Sequence, residues 1–197
     1  MTEAVANRLG NHYPLPKYVH TVGAEWSPCL RYRYALWRLW GDDPRATIAC
    51  FIGMNPSSAD EHHDDPTVRK CRGYAERWGY AGLLMLNAWA IRGTDPAEAL
   101  QADQEPIGPD NDAWIADFAH RGHLPLEHGD RAPINLFVAA WGNPGTQQGR
   151  GAAVTQLVTR HRPLHALGTT QAGQPKHPSR LAYATALTLY HPRGTAR

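Results

Sequence analysis

Three short segments of this 197-residue chain place amide, imidazole and hydroxyl groups where apolar runs end. Gly53-Met54-Asn55-Pro56-Ser57-Ser58 follows the first run. Asn87, with Arg92 beyond it, ends the second. His177-Pro178-Ser179 follows the fourth after a loop rich in Gly and Pro, and the third run ends in Trp141-Gly142. An asparagine offers a donor and an acceptor on one planar group. A histidine holds or gives a proton near neutral pH. Gathered on one rim, these groups would form a polar binding site. Taken singly, each has a plainer explanation: a Gly-x-Asn-Pro turn, a strand-end asparagine capping backbone, a histidine in a surface loop.

Other chemistries are less well supplied. Asp60, His62, His63, Asp64 and Asp65 resemble a metal cluster, but they lack ordered ligand spacing, and a solvated loop leading into a helix N-cap accounts for them. Cys29, Cys50 and Cys71 form no CxxC pair and fall short of the four ligands of a zinc or iron–sulfur site. Reduced thiols are expected, with no metal and no cofactor. Trp37, Trp40, Trp78, Trp89 and Trp114 read as packing residues rather than stacking platforms.

The elements that must position the three segments follow from the apolar pattern. Ala46–Met54, Gly82–Ala88, Ile134–Ala140 and Leu164–Leu167 are continuous apolar runs of strand length, as expected of strands buried on both faces. Leu30–Leu39 alternates, the mark of a half-buried strand, and the Gly41–Pro44 turn after it is too short for a crossover. It is therefore expected as an antiparallel edge. Asp65-Pro66 reads as an N-cap with proline at the first helical position, opening a helix to about Arg77. Further helices are expected over Pro96–Leu100, Asp110–Ala119, Ala152–Arg160 and Leu181–Leu189. The alternation of strands and helices argues for an α/β fold: a three-layer α/β/α sandwich around a central, mostly parallel four-stranded sheet plus the antiparallel edge strand. Ligands of such sheets bind at the carboxyl ends of the strands, where the three segments converge. Residues 1–28 are expected to be an irregular arm on a single domain spanning residues 1–197.

Composition bounds the partners. No apolar run approaches the roughly 20 residues that cross a bilayer, and no export signal opens the chain, so a cytoplasmic protein is expected. Net charge is +2, low for an electrostatic binder of nucleic acid. The distribution says more: basic residues gather at Arg31–Arg38, Arg69–Arg77 and Lys176–Arg180, acids at Asp60–Asp65 and Asp95–Asp117. A basic face beside an acidic one is compatible with DNA.

Together the segments resemble the uracil-DNA glycosylase superfamily. GMNPSS is similar to its first motif, of the form GQDPYH or GINPG. LLMLNAWAIR is similar to its base-reading strand, AAWG to a later strand ending in WG, and HPSRLA to its final HPSPLS motif. The order and spacing agree over about residues 46–190. RYRYALWRLWG, NPSSAD, DDPTVRKC, ERWGY and QPKHP also look like a bacterial family of uncharacterised function.

The resemblance implies roles. Asn87 matches the residue that reads the extruded base, and His177 the one that donates to pyrimidine O2 as charge builds there. Asn55 falls where uracil-specific members carry a catalytic Asp and mismatch-type members an Asn that positions water. Gly53, Met54 and Ser57 would line the base pocket. Leu181, or Arg180, falls where a wedge residue fills the vacated stack. Ser57, Ser58 and Ser179 would contact phosphates, with Arg92 and Lys176 beside them on DNA. Ser57 stands where uracil-specific enzymes place a Tyr against pyrimidine C5, and no Phe that stacks on uracil has a clear equivalent. The expected substrate is therefore a C5-substituted pyrimidine: thymine in a mismatch, or a hypermodified base of phage DNA removed in defence. A monomer acting on DNA without an obligatory protein partner is expected. Three alternatives stay open: a module that binds a modified base without cutting, an enzyme acting on free nucleotides, and a metal-dependent hydrolase built on Asp60, His62, His63 and Asp64.

Overall fold

The computed structural model of the chain describes residues 13–41, 46–93 and 105–192. The helix expected over Pro96–Leu100 and most of the turn Gly41–Pro44 lie outside the described residues. In chain order the elements are β1 (Tyr13–Pro14), β2 (Thr21–Trp26), β3 (Arg33–Leu39), β4 (Ile48–Gly53), β5 (His63–Asp64), α1 (Pro66–Arg77) and β6 (Gly82–Asn87). There follow α2 (Asn111–Arg121), β7 (His123–Pro125), β8 (Arg131–Ala139), α3 (Arg150–Thr159), β9 (Leu164–Ala166) and β10 (Thr188–Leu189). The fold is mixed α/β. Seven strands lie in the order β10-β9-β8-β4-β6-β3-β2, and β7 pairs with β8 off this path.

The four apolar runs become β4, β6, β8 and β9, which run parallel to one another. Every residue of β4 and β6 is buried, as strands covered on both faces require. One core packs Val68, Cys71, Tyr74 and Ala75 of α1 with Phe51, Leu83 and Met85 of the sheet. The other packs Ile115 and Phe118 of α2 and Val154 and Val158 of α3 with Ile52, Leu84 and Leu86.

Three expectations change. The Leu30–Leu39 strand is not an edge: β2, from the segment expected to be irregular, pairs antiparallel along β3 from Thr21↔Leu39 to Trp26↔Arg33. Nor is β3 half-exposed. Arg33 and Arg38 are 1% and 0% exposed, because the chain from Ala59 to Asp64 folds over them and accepts their hydrogen bonds. Leu181–Leu189 is not a helix. Its burial alternates residue by residue, with Leu181, Tyr183 and Leu187 packed on the α1-side core, and it ends in β10 against β9.

The acidic loop is a structural joint. Asp64 is buried between two guanidiniums, Arg38 Nε at 3.1 Å from Oδ1 and Arg72 Nε at 3.1 Å from Oδ2. Asp60 Oδ1 accepts from the backbone N–H groups of His62 and His63 at 2.8 Å each. Among the described residues no group of three or more His, Cys, Asp or Glu could hold a metal ion. The ion network pins the start of α1 to β3, and with it Asp65. Among the described residues no helix is long and apolar enough to cross a membrane.

Candidate functional site

The register of β4 on β6 sets Gly53 beside Asn87, so the two strands end together. Backbone hydrogen bonds then stitch the loops that leave them. Ala88 N donates to Gly53 O, Trp89 N to Met54 O and Gly93 N to Pro56 O, each at 2.9 Å. A Cβ on residue 53 would lie 3.0 Å from Asn87 Oδ1, so glycine there leaves the amide its room. Arg92 closes the far end, its Nε donating to Ser57 O at 3.1 Å.

Asn55 is held from behind. Its Nδ2 donates to Gly93 O at 2.8 Å and Pro56 O at 3.0 Å. Both acceptors are carbonyls, which fixes the amide's orientation and leaves Oδ1 for a ligand or a water.

His177 arrives from the other side. Gly142 adopts φ +72°, a left-handed turn that suits glycine, and its N donates to Pro175 O at 3.0 Å. Trp141 Nε1 donates to Gln174 Oε1 at 3.0 Å. These contacts lay the His177 loop against the end of β8. His177 Nδ1 lies 2.9 Å from Ser179 Oγ, and Ser179 N donates to it at 3.4 Å. A backbone N–H only donates, so Nδ1 accepts and the neutral ring carries its proton on Nε2.

Burial pushes the His177 pKa down, with the Asp65 carboxylate opposing it, so the imidazole is neutral at pH 7. The unfolded chain then takes up this proton at a higher pH than the folded one. Stability contributed by the neutral ring is fully present above the ordinary value of 6.5 and is lost as pH falls from there through the lower folded value. Urea unfolding at pH 7.5 and 5.5 checks this: the acid loss of stability is expected to be smaller in His177→Gln than in the wild type.

Gly53, Met54, Asn55, Ser57, Asn87 and His177 all line one pocket of about 380 Å³. Asn87 is 2% exposed, and its Nδ2 is buried without a hydrogen-bond partner. An unmatched buried donor costs free energy, which an acceptor on a bound ligand would remove.

Of the residues expected on DNA, Arg92, Lys176, Ser179 and Arg180 are exposed beside this pocket's loops. Ser58 is buried, 4% exposed, and is not a surface residue. Leu181 is half-buried against the α1-side core, which leaves Arg180 as the freer of the two wedge candidates. A larger cavity of about 750 Å³ lies between α3 and Leu189–Pro192 and contains none of the expected site residues.

The wall also carries two charged residues that are not among those expected in the pocket, Arg33 and Asp65. Arg33 Nη1 donates to Ala59 O at 2.6 Å, and its Nε has no partner. Burial lowers its pKa to about 10, so the buried guanidinium stays charged at neutral pH. Nothing in an alternating strand marks that residue in advance. Asp65 is the N-cap of α1, its Oδ1 accepting from Val68 N at 2.8 Å. Here a signal existed: α1 follows the loop leaving β4, so its first turn must begin on the rim that carries Gly53–Ser58.

A family described as a protein of unknown function (DUF1643) matches residues 33–179, from β3 to the His177 loop. No curated protein matches the chain.

Proposed function

We propose, for a chain that belongs to the DUF1643 family, that it is a monofunctional DNA glycosylase of the uracil-DNA glycosylase superfamily, acting on a C5-substituted pyrimidine. The observation that carries the reading is the buried Asn87 amide, its Nδ2 without a partner, in a pocket shared with Asn55 and with a neutral His177. The motif order along the chain supports it. So do helices on both faces of the parallel strands, as the superfamily's three-layer α/β/α sandwich requires.

A base inside a duplex is out of reach of such a pocket, so it is flipped out at a cost of a few kcal/mol. Asn87 then reads its Watson–Crick edge. The C1′–N1 bond breaks, and its electron pair leaves with the pyrimidine. His177 Nε2–H donates to O2, where the negative charge gathers. Water adds at C1′, giving an abasic site, and the released base takes up the remaining proton. Asn55 Oδ1 orients the water. Exposed Arg92, Lys176, Ser179 and Arg180 hold the strand. Ser57 leaves room at C5, so the favoured substrates are thymine in a mismatch and hypermodified cytosine or uracil of phage DNA. On the latter, abasic-site formation would serve antiviral defence.

Duplexes carrying uracil, a G·T mismatch, 5-hydroxymethylcytosine or a glucosylated cytosine test the reading. Alkali-labile breaks at the target base are expected on at least one C5-substituted duplex. No break on any of them rejects it. Tight, salt-dependent binding without breaks would instead identify a module that recognises a modified base.

A further inference from the structure

The first segment of the pocket has an amide, Asn55, where a carboxylate would serve the sugar side of the reaction. An amide dipole cannot match a full charge against an oxocarbenium-like centre, nor take a proton from water. The pocket nevertheless contains a carboxylate. Of its lining residues only Asp65 is acidic, and it comes from a different element, the first turn of α1.

Asp65 differs from its neighbour in how it is used. Asp64 is spent on Arg38 and Arg72. Asp65 is 4% exposed, and among the described residues its carboxylate accepts one hydrogen bond, from Val68 N to Oδ1. A carboxylate has about four acceptor sites, so most of its capacity is unspent. Its place at the N-terminus of α1 sets the carboxylate against the positive end of the helix. It shares the pocket wall with the buried Arg33 and with His177, and its charge opposes the fall in pKa that burial causes at each. The ion network at Asp64 and the cap bond to Val68 together hold it rigidly, as preorganised electrostatic catalysis requires.

We propose that Asp65 is a further catalytic residue: its carboxylate stabilises the positive charge developing at C1′ and accepts the proton of the attacking water. The assignment rests on the glycosylase reading above. As the C1′–N1 bond breaks, its electrons leave with the base, whose O2 is held by His177. The water oxygen bonds to C1′, one water proton passes to Asp65, and that proton returns through solvent to the released pyrimidine. No other reactant is consumed. Asn55 and Asp65 thus divide the work, one orienting the water and the other receiving its proton.

Asp65→Asn separates this role from capping, because Asn caps helices as well as Asp. With a duplex that the wild type cuts, single-turnover excision is expected to fall by about 100-fold or more while duplex Kd changes less than about threefold. Thermal unfolding should be close to wild type. Excision near the wild-type rate would overturn the assignment and leave the glycosylase reading standing. A second measurement needs no substrate. In the His177 ring titration followed by NMR, Asp65→Asn is expected to move the midpoint to lower pH, since a nearby negative charge is lost. An unchanged midpoint would show that the carboxylate does not face the pocket, and would overturn the assignment. If the wild type cuts none of the duplexes, the glycosylase reading fails and the assignment falls with it.

Discussion

Replacing His177 with alanine is expected to slow base excision by about 10²–10³-fold at saturating enzyme, with little change in the affinity for the substrate duplex. The split follows from when the interaction is strong. In the ground state pyrimidine O2 carries a partial charge and accepts a modest hydrogen bond. As the glycosidic bond stretches, O2 becomes an oxyanion, and the Nε2–H bond strengthens in a half-buried, preorganised site. Interactions made mainly in the transition state change the rate rather than the binding. The Ser179 contacts that hold Nδ1 as acceptor make Nε2 the donor. Ser179→Ala should therefore lower the rate by a smaller factor, of the order of tenfold, by loosening that tautomer. Asn87→Ala should behave differently and weaken binding of the flipped base as well as the rate, because its amide is matched as soon as the base is in place. Pre-steady-state excision with enzyme in excess, together with fluorescence anisotropy of the duplex, separates the two patterns. A His177→Ala rate within about threefold of wild type would remove the histidine from the reaction.

Replacing Ser57 with tyrosine is expected to reduce the excision of C5-substituted pyrimidines, relative to unsubstituted ones, by about 10–100-fold. Side-chain volume sets the effect. Ser57 lines a pocket of about 380 Å³ and is half-buried. A tyrosine brings six more heavy atoms into a wall whose backbone is tied by Pro56 O to Gly93 N and by Ser57 O to Arg92 Nε. Such a wall gives way little, and overpacking of a fixed site costs about 1–3 kcal/mol, which corresponds to a factor of about five to about 150. Competition between duplexes with uracil and with the best C5-substituted base in one reaction reads the ratio directly. An unchanged ratio would place the C5 side of the base against some other wall.

How much of this was legible in the chain depended on which physical signal dominated each segment. β4, β6, β8 and β9 were readable because strands buried on both faces leave continuous apolar runs. The start of α1 was readable because Asp65-Pro66 is a cap with a mechanism. β2 was not, since TVGAEW mixes a glycine and a glutamate into a short run and every residue of it is half-buried. Leu181–Leu189 misled because its alanines favour a helix, whereas the large residues recur every second position. The convergence of Asn55, Asn87 and His177 followed from topology, since parallel strands deliver their ends to one rim. Arg33 did not follow, because its burial depends on the Ala59–Asp64 segment folding across β3, a long-range event that no local pattern records.

The stitching of the Gly53–Ser57 loop to the Asn87–Gly93 loop uses backbone groups at almost every point: the carbonyls of Gly53, Met54, Pro56 and Ser57 are the acceptors. The side chain at position 57 therefore has no share in holding the wall. Selection can exchange it without rebuilding the pocket or disturbing Asn55, Asn87 and His177. A lineage facing new base chemistries could follow them by single substitutions at this one position. Relatives of this chain are then expected to diverge at position 57 while keeping the two amides and the imidazole, and their preferred bases should sort by the size of that side chain.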